Sequence, residues 1–416
     1  MTYPKFLEKA KSRNIFLIIL GILVLPIAYK EGMSEDIRGD YFMFWTAGLE
    51  FWQGKPIYSH VIDAEGFTYP PFAAMYFQIL AILPFNWSAV VFDYINFGLW
   101  TLCFFKIADI LKILFPNTDV RLAIVVSYLA SARFFWHNHI WMQVNVQILL
   151  LCLLGVSAYL KGKENWAIFF FLFGTFYKIM PVIFLFPLVI KGNEKTIIKI
   201  LVFSLFFIIS PILWRGFSLG IQDYVDYYEV FIKPFSKGKI YTDLISLSLP
   251  AAILKLTTVQ NYDGYHFNIV SWSELTAKRI GNIFQVGMLA GILLKFVYNR
   301  FINKQLGISA NEISLVFLTM LLITGRTWEG HHVVTGFVYA SIIIALTQTK
   351  RLILRNISAC LMIFLGIIGK DTVGNFLYIY SQGFSLITFT MLLFWGILFF
   401  KNSVAPSTSH TSPQGS

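Results

Sequence analysis

Apolar runs near residues 14–29, 87–105, 122–136, 141–160, 166–177, 180–190, 197–213, 280–298, 311–324, 332–348, 356–369 and 375–400 divide this chain and dictate what it can become. Backbone amides cannot be left unpaired in hydrocarbon, so each run that enters a bilayer must do so as a helix. With 57% hydrophobic and 13% charged residues, the chain lies far from the soluble average, in which about a quarter of residues are charged. The expected fold class is an all-α polytopic membrane protein of about twelve spans, the short ones crossing by packing against longer neighbours. A net charge of +11 raises nucleic acid as a partner, but the basic residues are scattered between apolar runs, so no nucleic-acid partner is expected. Cys103, Cys152 and Cys360 all fall inside apolar runs, which excludes a disulfide framework and a cysteine metal site.

The polar loops set the orientation. With the N-terminus inside, Lys106, Lys112 and Arg121, Lys161 and Lys163, Lys191, Lys195 and Lys199, Lys295, Arg300 and Lys304, Lys350, Arg351 and Arg355, and Lys401 all fall on the cytoplasmic side. The basic residues Lys5, Lys9, Lys11 and Arg13 before 14–29 resemble a signal peptide, but no small-residue cleavage site follows, so an uncleaved first span is expected. Residues 72–84 are too short for a comfortable span and are bounded by Pro71 and Pro84, which predicts a juxtamembrane helix on the outer face. One span over 166–190 would bury Lys178 at mid-bilayer, at about 2.5–3.5 kcal/mol, and would split the neighbouring lysines between two sides. A hairpin broken at Lys178-Ile179-Met180-Pro181 avoids both. The expected protein is thus a multi-pass cell-membrane protein with both termini cytoplasmic and one domain over 1–402. Its outer loops are 30–86 and 214–278, and the tail 403–416 is disordered on composition.

This topology puts the remaining polar residues on the outer face: Asp40, Tyr69, the turn from Trp136 to His139, Gln143 and Asn145, Lys178, and Arg326-Thr327-Trp328-Glu329-Gly330-His331-His332. The first outer loop is rich in carboxylates (Glu31, Glu35, Asp36, Asp40, Glu50, Asp63, Glu65), and from Asp40 the aromatics recur every three to four residues, as on one face of an interfacial helix. Asp40 suits an N-cap, or a catalytic carboxylate whose ionised form the helix N-terminus favours. Lys178 and Arg326 each close an apolar run where a lipid phosphate would sit, and the alternative for both is snorkelling to the interface. Tyr69, Gln143, Asn145 and Glu329 are the expected substrate contacts. No His-Glu-x-x-His, paired-cysteine or Asp-x-Asp pattern occurs, so no metal site and no cofactor are expected, and no phosphate-binding or dinucleotide glycine motif points to ATP or redox chemistry.

The segment Gly39-Asp40-Tyr41, Ala47-Gly48, Gly54-Lys55-Pro56-Ile57-Tyr58 and Phe67-Thr68-Tyr69-Pro70-Pro71 resembles the first outer loop of the family 87, mannosyltransferase type of polyprenyl-phosphate-sugar-dependent GT-C glycosyltransferases. Further matches are Gln143-Val144-Asn145, Gly174 to Lys178 with Pro181, and His331-His332, so the likeness covers most of the first 350 residues. Met142 departs from it, standing where the family usually has Gly. The resemblance implies a GT-C fold and inverting transfer of a hexose, mannose being the expected one, from a polyprenyl-phosphate donor to a lipid or glycan acceptor. Asp40 would be the catalytic base, with Lys178, Arg326, His331 and His332 around the donor phosphate. A transporter or flippase for a lipid-linked sugar would instead carry polar residues at mid-membrane in two related halves; a lipid-linked glycan polymerase or ligase would need a different outer loop.

Overall fold

The computed structural model describes residues 10–34, 39–61 and 65–401; Glu35, Asp36, Arg38, Asp63 and the tail from 403 lie outside them. The described elements are all helices, with an isolated β bridge between Tyr262 and Tyr265. Three helices are long and apolar enough to cross a membrane unaided: Glu194–Arg215, Glu274–Phe301 and the helical stretch Glu329–Gln348. A fourth crossing forms if Leu352–Ile367 and Lys370–Gly383, bent by 93°, count as one. The expected count of about twelve is therefore not reached by length and hydropathy. Several apolar runs become helices too short to span alone, such as Asn145–Leu160 and Ala310–Leu322. The run 375–400 is two helices, parted at Ser385, whose φ of 52° cannot continue a right-handed helix. Leucine, valine and phenylalanine side chains on Glu194–Arg215 and Glu274–Phe301 are exposed, as suits a membrane protein whose outer surface meets lipid.

At Lys178 the chain reverses. Helix Glu164–Tyr177 ends there in extended backbone, and a 3-10 turn Met180–Phe184 leads into Leu185–Lys191. Pro181, which lacks an N–H, packs so close that a Cβ on Gly174 would stand 3.2 Å from its ring. Both ends of the hairpin return to one place: Tyr159, Glu164, Lys191 and Asn193 line one cleft, and Lys199 Nζ lies 2.6 Å from Glu164.

The segment after the first helix is built on helix Asp40–Trp52. Tyr41, Phe44, Ala47, Gly48 and Phe51 form its buried face, at helical spacing, while Phe42 and Trp52 are exposed. Tyr41 donates to Ser88 Oγ at 2.6 Å, and Phe44 stacks on Phe77 with centroids 4.8 Å apart. Gly48 is required by contact: a Cβ there would lie 2.3 Å from the Phe77 carbonyl oxygen. The far end of the helix is held by Arg215. This side chain, 1% exposed, forks onto Asp223 at 3.0 and 3.1 Å and gives its other N–H groups to the carbonyls of Glu50 (3.2 Å), Phe51 (3.0 Å) and Lys55 (2.8 Å). All five guanidinium donors are thus used, on two terminal carbonyls of the helix, one carbonyl of the turn that follows it and a single carboxylate.

Two outcomes follow. Single cysteines replacing Lys163 and Lys195 should react with a membrane-impermeant maleimide from the same side; labelling from opposite sides would contradict the reversal at Lys178. Arg215→Ala strands Asp223 and three carbonyls and should destabilise the protein by about 3–5 kcal/mol, read as a lowered thermal midpoint in detergent, with Arg215→Lys only partly restoring it.

Candidate active site

Asp40 opens its helix, but Gly39 occupies the N-cap position and no side chain caps this end. The Asp40 carboxylate is turned to tertiary partners instead, accepting a short hydrogen bond from Gln143 Nε2. Burial raises its pKa above the ordinary carboxylate value, while Lys178, the Gln143 hydrogen bond and Arg326 pull the other way. Such a carboxylate binds a proton more readily than a solvated one, which suits a general base.

Gln143 reaches Asp40 because the chain turns sharply after helix Arg121–Ile140. The turn is stapled by Met142 N–H to His139 O (2.9 Å), Gln143 N–H to Asn138 O (2.9 Å) and the Asn138 amide to Gln143 O (3.1 Å). Beneath it His139 Nδ1 meets buried Asp93 at 2.8 Å. Met142 adopts φ 44°, a left-handed conformation that costs a non-glycine residue about 1–2 kcal/mol. Gly is the natural residue for that backbone; here Met occupies it and buries its side chain.

Lys178 sits in the helix break and points back across the same space. Its Nζ is 2.7 Å from Asn145 Oδ1, 3.0 Å from His331 Nε2 and 5.5 Å from the centre of the Tyr69 ring. Burial pushes its pKa down to about 8, with Asp40 opposing. Arg326 enters from the opposite wall, sandwiched between the rings of Tyr241 (4.3 Å) and Trp328 (4.2 Å). Asp243 at 3.3 Å and Glu65 at 3.6 Å flank its guanidinium.

These groups share one cavity of about 500 Å³. Asp40, Tyr69, Gln143, Asn145, Lys178, Arg326 and His331 all line it, although they come from five separated stretches of chain. Ile148, Met180, Phe231, Phe235, Met320 and Leu321 supply an apolar wall, and the segment 227–241 adds Tyr227 and Tyr241 to the lining. Gln143 Oε1, Asn145 Nδ2, Arg326 Nε and Trp328 Nε1 are buried around it with no partner among the described residues, a set of donors and one acceptor that a polar ligand would satisfy.

Glu329 and His332 lie outside the cavity lining. Glu329 is 2% exposed, accepts from Gln382 at 2.7 Å and faces Arg133 at 3.7 Å, which also holds Asp371 at 3.0 Å. His332 donates from Nδ1 to the Trp328 carbonyl at 3.1 Å and packs on Phe134. The sequence reading missed Tyr241 and Asp243, which brace Arg326; the tyrosine and aspartate two residues apart within 214–278 were their only signal. It also missed Arg133, hidden in an apolar run. Among the described residues no group of three or more His, Cys, Asp or Glu side chains is gathered to hold a metal ion.

No curated protein and no solved structure matches the chain. The sequence profile of glycosyltransferase family 87 matches residues 67–325, more than half of the chain. With its apolar helices and this cavity, the chain belongs to glycosyltransferase family 87 and is a membrane glycosyltransferase.

Proposed function

We propose that this enzyme transfers a hexose, mannose, from a polyprenyl-phosphate donor to an acceptor hydroxyl on a lipid or glycan, at the extracytoplasmic face of a multi-pass membrane domain and with inversion. The observation that carries the reading is that one apolar-walled cavity is lined together by a carboxylate with a raised pKa, Asp40, and by two basic side chains at the ends of apolar segments, Lys178 and Arg326, which act on it electrostatically. Nucleotide sugars are cytoplasmic, so a transferase working outside must take its sugar from a lipid phosphate. An apolar wall beside cations suits a prenyl chain leading to a phosphate.

In the reaction the acceptor oxygen attacks the anomeric carbon from the face opposite the phosphate, and the bond from that carbon to the phosphate oxygen breaks. Asp40 takes the hydroxyl proton as the new bond forms. The phosphate monoester leaves with both electrons of the broken bond, and its growing charge is met by Lys178 and Arg326. A phosphate monoester leaves readily as an anion, so no general acid is required and no metal is invoked. Gln143 holds the Asp40 carboxylate in place.

The test is an assay of purified protein with a short-chain prenyl phosphomannose and glycolipid acceptors; no transfer from any prenyl phosphohexose would overturn the reading. Asp40→Asn keeps the shape and removes the base, so kcat should fall on the order of a hundredfold or more with donor binding retained. Glu50→Gln is the control: Glu50 lies at the other end of the helix, paired with exposed His60 at 2.9 Å, and its amide should keep most activity. Lys178→Ala and Arg326→Ala should raise KM for the donor and lower kcat, since phosphate charge is greater in the transition state than in the bound donor. Because burial raises the Asp40 pKa, the acid limb of the rate profile should lie above the ordinary carboxylate range.

A further inference from the structure

His331 has its proton position fixed by the backbone. Its Nδ1 lies 3.1 Å from the Trp328 amide nitrogen, whose N–H can only donate, so Nδ1 carries the lone pair. A neutral imidazole bears one proton, which must then be on Nε2, and Nε2 faces Lys178 Nζ at 3.0 Å. An ammonium has three donors and no acceptor, so two N–H groups would point at each other if Lys178 were charged in this arrangement. An amine resolves the contact: it accepts from His331 Nε2–H and donates to Asn145 Oδ1 at 2.7 Å.

Resting on the donor-phosphate reading above, we propose that His331 is a positioning residue that holds Lys178 as a neutral amine in mildly alkaline solution, and that the donor phosphate binds there with uptake of one proton by Lys178. The step balances simply: the Nζ lone pair takes a proton from solvent, and the phosphodiester anion enters as the new acceptor. Nε2–H and the ammonium then both donate to phosphate oxygens in place of the contact between them. Burial already brings Lys178 down to about 8, which puts the amine within reach in the mildly alkaline range.

Other charges bear on this pair. From helix Asp40–Trp52 comes Asp40, from the stretch before Pro71 comes Tyr69, and from the opposite wall Arg326 with Asp243 and Glu65. His137 and His332 bear on the His331 ring. Tyr69 is pushed well above the ordinary tyrosine value by burial and by Asp40, so it supplies no break near 8. A break originating in Asp40 or the other histidines would survive replacement of Lys178.

The experiment measures Kd for farnesyl phosphomannose and for farnesyl methyl phosphate with the protein in nanodiscs, from about pH 6 to about pH 10. Both are phosphodiesters whose single charge does not titrate there. The expected result is constant affinity at low pH and, above a break near 8, weakening of about tenfold per pH unit. Lys178→Arg should bind without the break, because a guanidinium remains charged. His331→Phe should bind more weakly at every pH yet move the break up by about one unit, since the amine loses the donor that stabilised it. Without any variant, calorimetry of the wild-type protein in two buffers of different ionisation enthalpy should show uptake of close to one proton at about pH 9. Binding without a break, a break unchanged in Lys178→Arg, or no proton uptake would each overturn the inference and leave the donor reading standing. Failure of both phosphodiesters to bind at any pH would remove the donor reading, and this inference with it.

Discussion

A carboxylate withdrawn from water must be compensated, and the arrangement of this protein follows from how Asp40 is compensated. Removing such a charge from water costs several kcal/mol unless partners return it. No partner of Asp40 is local: Gln143 is 103 residues away, and Lys178 and Arg326 are farther still. The site therefore exists only when helix Asp40–Trp52, the turn after Ile140, the reversal at Lys178 and the segment before Glu329 have all packed. Folding and site assembly are in this sense one event, and partial unfolding of any of these elements would leave Asp40 uncompensated.

That dependence fits the way the C-terminal half of the Asp40 helix is fixed by tertiary contacts. Gly48 lets the helix approach the Phe77 backbone, and Arg215 gathers its last carbonyls while Asp223 balances the charge. The opposite wall is treated the same way. Buried Glu329 and Gln382, with Arg133 and the exposed Asp371, form a polar cluster that joins three distant helices, and Glu329 stands next in sequence to Trp328 and close to His331. Neither cluster reaches the cavity, and each holds a segment that does.

What was legible in the sequence is what local physics determines. Aromatic spacing gave the buried face of the Asp40 helix, the lysine inside an apolar run next to Pro181 gave the reversal, and cations at run ends gave two of the cavity walls. Gln143 and Asn145 came from motif likeness, and the structure puts both on the cavity. Arg215, Arg133 and Asp243 were invisible because their partners are set by tertiary packing, and a charge beside or inside an apolar run looks the same whether it snorkels or is buried in a pair. The same limit applies to Glu329 and His332: adjacency to His331 suggested a shared role, but the 3-10 turn Glu329–Val334 points neighbouring side chains different ways. The run 375–400 read as continuous because composition carries no trace of one left-handed residue, Ser385.

Lys178 and Arg326 looked equivalent as sequence and are not equivalent as structure. Two carboxylates flank the Arg326 guanidinium and two rings cover its faces, so its charge is largely balanced and its position is fixed before any ligand arrives. A planar fork held this way favours geometry: it can orient a phosphate, but each new contact competes with Asp243 or Glu65. Lys178 is the reverse case, a compact charge on a flexible stem held by a neutral amide and an imidazole. Its charge is the more responsive to an incoming anion, because burial has already narrowed the gap between its protonated and neutral forms. In a site where phosphate charge must grow at the moment of transfer, a fixed cation and an adjustable one divide the work between alignment and response.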